Sequence, residues 1–121
     1  MFEGNAAEAI EFYQNVFPAM ETANEVLYGD DAGEMAGKIQ TVDVKIAKQE
    51  FIFIDSPAKH DFTFTASISL FVTCDSAEEV ESVYDQLAEG GRILMPLGVY
   101  PFAKKFAWVS DRFGVSWQLI F

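Results

Sequence analysis

The chain is short of positive charge. Eight Lys and Arg stand against 19 Asp and Glu, a formal charge of −11 over 121 residues. A surface of that sign repels phosphate backbones and anionic lipid headgroups, which sets aside nucleic acid and membranes as partners. Cysteine is down to one residue, Cys74. No intramolecular disulfide is available, and the expected compartment is the reducing cytoplasm. Histidine is also single, His60, and it has no recognisable placement for activating Cys74, so the thiol reads as a small apolar-like residue at a strand end rather than a nucleophile. Long apolar runs are missing too: none approaches the roughly 18 residues of a membrane span. The first ten residues carry two Glu and no Lys or Arg, unlike a secretory leader.

What the chain does have is apolar and aromatic material, 50% and 15% of its residues. That is enough for a real core, and 121 residues predict one compact domain. In "GNAAEAIEFYQNVFP", Asn5 and Glu8 read as an N-cap with its capping-box partner. Ala6, Ala9, Ile10, Tyr13, Val16 and Phe17 follow at helical spacing, and Pro18 stops the helix. The stretch "CDSAEEVESVYDQLAEGG" repeats the plan: Ser76 caps, Glu79 sits three residues on, Val80, Val83, Tyr84 and Leu87 form the stripe, and Gly90 offers a stop. A shift of about 71 residues superposes Glu8 on Glu79 and Tyr13 on Tyr84, which hints at an internal duplication.

Strand-like runs follow each helix. After the first come residues 22–29, "KIQTVDVKIA" from Lys38 and "EFIFID" from Glu50; Gly29, Gly33 and Gly37 fall in a long hairpin loop. After the second come "RILMPLGVY", "KKFAWVS" and "VSWQLIF", and "SISLFV" from Ser67 precedes that helix. Two βαβββ units are predicted, with Met1 and Phe2 as a stub of the first strand. Alternation places Ile68, Leu70 and Val72 under a helix and Ser67, Ser69 and Phe71 on the other face. In "EFIFID" it separates Ile52 and Ile54 from Phe51, Phe53 and Asp55. Hydroxyls, aromatics and one carboxylate on a face suit a ligand cavity better than a core. In "YPFAKKFAWVSDRFGVSW", Lys104 and Lys105 lie beside aromatics, at most one of them inward, and such a lysine can receive an anionic or planar ligand. Asp111 and Gly114 in "SDRFGV" read as hairpin-turn residues.

Together "EGNAAEAIEFYQNVF", "FIFIDSP", "FTFTASISLFVTCDSAEEVE" and "LAEGGRILMPLGVYPFAKKFAWVSDRFGVSWQL", spanning nearly the whole chain, resemble the vicinal oxygen chelate superfamily of glyoxalases, bleomycin-resistance proteins and extradiol dioxygenases. Within it they resemble the PhnB-like group, labelled 3-demethylubiquinone-9 3-methyltransferase-like. The resemblance implies an α+β fold of paired βαβββ modules forming a cupped mixed sheet, with the first strand short or missing. A single glyoxalase-like domain over residues 1–121 would hold module one at about 1–58 and module two at about 64–121.

The resemblance also implies where a metal would sit. Gln118 falls on the final-strand glutamate, Ser67 on the fifth-strand histidine, Asp55 near the fourth-strand carboxylate, and the first-strand ligand is absent. Serine and a neutral amide are weak ligands for a divalent transition metal, so no metal and no cofactor is expected. The leading expectation is a homodimeric, cytoplasmic protein binding an unidentified small molecule at Phe51, Phe53, Asp55, Ser67, Ser69, Phe71, Lys104, Trp108 and Gln118. One alternative is a divalent-metal-dependent lyase, isomerase or dioxygenase-type enzyme using Asp55, Gln118 and a His60 supplied across the dimer. Another is a non-catalytic structural or interaction protein. A methyl donor of the usual kind needs a glycine-rich strand-to-helix turn in a parallel sheet, and these residues offer none.

Overall fold

Helix α1 (Ala6–Val16) forms where Ala6, Ala9, Tyr13 and Val16 recur at three- and four-residue spacing, and these are the residues it buries. Its start departs from expectation. Asn5 makes no side-chain cap bond; instead the amides of Gly4 and Ala6 both donate to Asp55 Oδ1, each at 2.9 Å. The cap comes from a carboxylate 49 residues from Ala6. Its negative charge also suits the positive end of the helix dipole.

The computed structural model describes all residues from Met1 to Phe121. The chain divides into two compact units, Met1–Asp61 and Phe62–Phe121. In the first, β1 (Glu21–Leu27), β2 (Ile39–Ile46) and β3 (Gln49–Phe53) follow α1 and pair antiparallel in the order β1-β2-β3. The long β1–β2 connection holds a 3-10 segment, Asp30–Met35, with Gly33 at φ 61° and Gly37 at φ 79°. The β2–β3 turn has two residues, Ala47 and Lys48, both at positive φ (51° and 69°) where neither side chain is at ease. Phe2 makes one parallel bridge to Asp55: its N–H donates to Ile54 O at 2.7 Å, and Ser56 N–H donates to Phe2 O at 2.8 Å. The first strand is present as that stub.

The second unit runs β4 (Leu70–Thr73), α2 (Ala77–Ala88), β5 (Arg92–Tyr100), β6 (Ala103–Ser110) and β7 (Ser116–Ile120), with sheet order β4-β7-β6-β5. β4 runs parallel to β7 and the other pairs are antiparallel. Ser76 caps α2 by accepting from Glu79 N–H at 3.0 Å, while Glu79 Oε2 accepts from Asp75 N–H. Gly90, at φ 74°, takes the left-handed position just past the helix end. The β4 strand is shorter than expected. Ser67 and Ser69 precede it, Thr65 Oγ1 accepts from Ser67 N–H in a local turn, and Ile68 is exposed rather than under the helix.

The two units share one plan. The stub joins the far side of β3 as β4 joins β7. Phe2 stands three residues before the cap position Asn5, and Thr73 stands three before Ser76. Under α2 lie Val72, Ala107, Val109, Trp117 and Leu119, all buried, as are Val80, Val83 and Leu87 of the helix; each buried Val or Leu among them contributes about 1.5–3 kcal/mol relative to exposure. No helix is long and apolar enough to cross a membrane.

Candidate functional site

Strand alternation decides which side chains leave the core. On β6, Lys105 forms an ion pair with Glu81 of α2, so Lys105, Ala107 and Val109 face the helix. Lys104, Phe106 and Trp108 therefore face the other way. The pairings carry this face across the sheet. Phe71, Gln118, Trp108 and Met95 make one row, and Thr73, Ile120, Phe106 and Gly98 the next.

On this face Trp108 Nε1 donates to Ser116 Oγ at 2.8 Å, and Ser116 Oγ shares a 2.7 Å hydrogen bond with Ser69 Oγ. The indole is thereby fixed. Gln118 lies between Phe71 and Trp108, and its amide forms no hydrogen bond within the chain. Next to this row a cleft of about 550 Å³ opens among Phe71, Thr73, Phe102, Lys104, Ile120 and Phe121. Phe71 and Phe102 are 48% and 60% exposed. Phe102 is held by stacking on Tyr100 (5.6 Å, 22°) and by an edge contact to Phe106 (5.0 Å, 79°). Cys74 lies behind the cleft with its thiol buried. Burial first, then the charges of Glu79 and Asp75, push its pKa up to about 11, which leaves it a poor nucleophile at neutral pH.

The residues expected from module one lie elsewhere, and their face is the reverse of the expected one. Phe53 packs on Phe2 (5.2 Å) and Tyr13 (6.1 Å), and Phe51 sits 6.5 Å from Phe53. Phe51 and Phe53 pair with the buried Val44 and Val42, so they belong to the α1 side. Ile52, 67% exposed, faces away from it. Both faces of "EFIFID" are apolar, so period-two alternation separates them without saying which is inside; Tyr13 and Phe2 make the choice. Asp55 is wholly buried, with Oδ1 held by Gly4 and Ala6 and Oδ2 accepting from Ile39 N–H at 3.1 Å. It is a backbone clamp and not a cavity residue. His60 Nε2 lies 2.8 Å from Ser56 Oγ in the loop after β3.

These positions do not fit a divalent metal. Asp55 has both oxygens engaged by amides, Gln118 is flanked by Phe71 and Trp108, and Ser67 sits outside the strand, hydrogen-bonded to Thr65. No three His, Cys, Asp or Glu side chains converge. Thr73, Phe102, Ile120 and Phe121 are cleft residues that sequence reasoning missed. Thr73 and Ile120 were within reach of it, because each stands two residues beyond a candidate, Phe71 and Gln118, and so on the same face.

A family model described as 3-demethylubiquinone-9 3-methyltransferase matches residues 1–120. The chain belongs to this family. Across nearly its whole length it is similar to the PhnB protein of Bacillus cereus, 46% identical with a TM-score of 0.91, the match covering 99% of this chain and 93% of that one. It is also 26% identical over 136 residues to protein YjdN of Escherichia coli, covering 98% of this chain and 88% of that protein. A fold likeness extends to the fosfomycin resistance protein FosX of Listeria monocytogenes, solved with Mn(II) and 1S,2S-dihydroxypropylphosphonic acid: TM-score 0.66, 15% identity, 99% and 86% coverage. This PhnB-like chain thus has the glyoxalase-type fold of the vicinal oxygen chelate superfamily.

Proposed function

We propose that the protein binds a small organic molecule on the face of the second sheet opposite α2, without a metal to hold it. The observation that carries this reading is the row Phe71–Gln118–Trp108 beside a 550 Å³ cleft. It offers exposed rings, a fixed indole and one uncommitted amide on rigid strands, the usual composition of a binding pocket in the usual size range of about 300–1,000 Å³. The second unit alone supplies these residues. Ser67, Phe51, Phe53 and Asp55 leave the expected set, and Ser69 supports Trp108 through Ser116. The family's name does not transfer a methyl-transfer activity here. The strands that follow each helix pair antiparallel with one another, whereas the usual methyl-donor site lies in a parallel αβ sheet.

Amide chemical-shift mapping with a fragment library tests the proposal. Perturbations clustered at residues 71–74, 102–104 and 118–121 are expected; shifts confined to the solvent face of α2, or none at all, would refute it. We further propose that the protein acts as a homodimer in the cytoplasm. The stub reaches only Asp55, so β3 keeps an unpaired outer edge that a second copy can cover, and a lone thiol stays reduced in that compartment. A single monomeric species in sedimentation velocity at micromolar concentration would contradict the dimer.

A further inference from the structure

The cleft beside Phe71 is an electrostatic exception in an acidic protein. The chain carries 19 Asp and Glu against eight Lys and Arg, yet the only charged side chain in the lining is Lys104. Its neighbour Lys105 is spent on Glu81 on the helix side, whereas Lys104 forms no ion pair and is exposed. Two half-exposed phenyl rings, Phe71 and Phe102, line the same cleft, and contacts to Tyr100 and Phe106 fix the orientation of Phe102. Exposed apolar ring surface is stabilised when something flat and apolar covers it. The ammonium gains from a partner of opposite charge.

We propose that the ligand of this cleft is a planar organic anion, an aromatic carboxylate or sulfonate in class, with its ring against Phe71 and Phe102 and its charged group at Lys104. This rests on the reading of the cleft as the binding site and adds its selectivity. Lys104 is the specificity-determining residue, and the phenyl rings supply affinity common to charged and neutral ligands.

Two probes sharing one ring system separate the two contributions. 1-Anilinonaphthalene-8-sulfonate carries the anion, and N-phenyl-1-naphthylamine is the same skeleton without it. Fluorescence titrations are made on the wild-type chain, Lys104→Gln and Phe71→Ala, each confirmed folded by far-UV circular dichroism. Phe102→Ala, at a more exposed ring, replaces Phe71→Ala if the latter does not fold. The sulfonate is expected to bind the wild type about ten-fold more tightly than the neutral probe, the scale of one charge-assisted hydrogen bond at a partly exposed site. Lys104→Gln erases that preference, bringing the sulfonate down to the affinity of the neutral probe, while the Phe→Ala variant weakens both probes. Equal wild-type affinities, or a preference that survives Lys104→Gln, would overturn the anion assignment while leaving the cleft as the site. No binding of either probe, or binding indifferent to the Phe→Ala change, would overturn the site itself and the anion assignment with it.

Discussion

Removing the Asp55 carboxylate separates a structural clamp from a functional acid. The group is fully buried and accepts from Gly4, Ala6 and Ile39 amides at 2.9, 2.9 and 3.1 Å. In Asp55→Ala the Gly4 amide, half-buried, is rehydrated at little cost. Ala6 and Ile39, 0% and 2% exposed, leave two donors with no water to turn to, at about 1–3 kcal/mol each. The helix start also loses its favourable charge. The sum is about 4 kcal/mol, a large share of the roughly 5–15 kcal/mol that holds a domain of this size. At an m-value of about 1.5 kcal/mol/M, the urea midpoint followed by far-UV circular dichroism falls by between 2 and 3 M, about 4 divided by 1.5. Asp55→Asn keeps an oxygen for Gly4 and Ala6 but opposes its NH₂ to the Ile39 N–H, so it loses about half as much. Hydrogen exchange should accelerate at Ala6 and Ile39 in Asp55→Ala and at Ile39 in Asp55→Asn. If Asp55→Ala cost less than about 1 kcal/mol, or stabilised the fold as removal of a strained functional acid can, the clamp argument would be wrong.

Three further outcomes follow from local geometry. Replacing Ala47-Lys48 by Asn-Gly puts residues suited to positive φ at both turn positions, and a gain of about 1 kcal/mol in urea unfolding is expected; no gain would mean the turn is relaxed as it stands. Ser76→Ala removes the oxygen that accepts from Glu79 N–H and should cost about 1 kcal/mol, whereas Asn5→Ala, whose side chain caps nothing, should be near neutral by the same measurement. Cys74, with its pKa pushed up to about 11 from 9.0, carries about a hundred-fold less thiolate near pH 8 than the unfolded chain. Iodoacetamide labelling should therefore be at least that much slower in native protein and should climb with pH up to about 11. Being favoured in its protonated form when folded, the thiol contributes stability that is intact below pH 9 and is lost as pH rises through 11; native labelling as fast as unfolded labelling would refute its burial.

Much of the architecture is legible in the sequence because local signals and tertiary structure agree. Both helices occupy their apolar stripes, and β5 begins and ends where "RILMPLGVY" does. The shift of 71 residues between the helices has a structural counterpart in the parallel stub and the parallel β4. What was not legible depends on long-range partners. Nothing local in "GNAAE" says that Asn5 will not cap, since the competing acceptor lies 49 residues further along the chain than Ala6, after three strands. Nothing in "EFIFID" says which apolar face is inside. On β7 the alternation was easier to read, because Gln118 stands between Trp117 and Leu119, both apolar and both buried, whereas on β6 alternation alone allowed one inward lysine without saying which, and the pairing of Lys105 with Glu81 makes the choice.

The difference in capping bears on where function resides. The parallel pairs Phe2–Asp55 and Thr73–Ile120 match in sequence position, each joining the residue three before a helix cap, but Asp55 faces α1 whereas Ile120 faces away from α2. In the first unit that place holds a carboxylate, because Asn5 does not cap and the amides of Gly4 and Ala6 need an acceptor. In the second, Ser76 and Glu79 satisfy the helix start locally, and the corresponding place is held by Ile120, which lines the cleft. A repeat whose helix caps itself frees the strand end opposite for another use. Placing an acid at position 120 tests this directly. Ile120 faces the cleft rather than α2, so Ser76→Ala combined with Ile120→Asp should be no more stable than Ser76→Ala alone. It should also abolish binding of the sulfonate probe, because an acid then lines the cleft beside Lys104. A double variant more stable than Ser76→Ala alone would show that the new carboxylate reaches α2 and that position 120 does not belong to the cleft face.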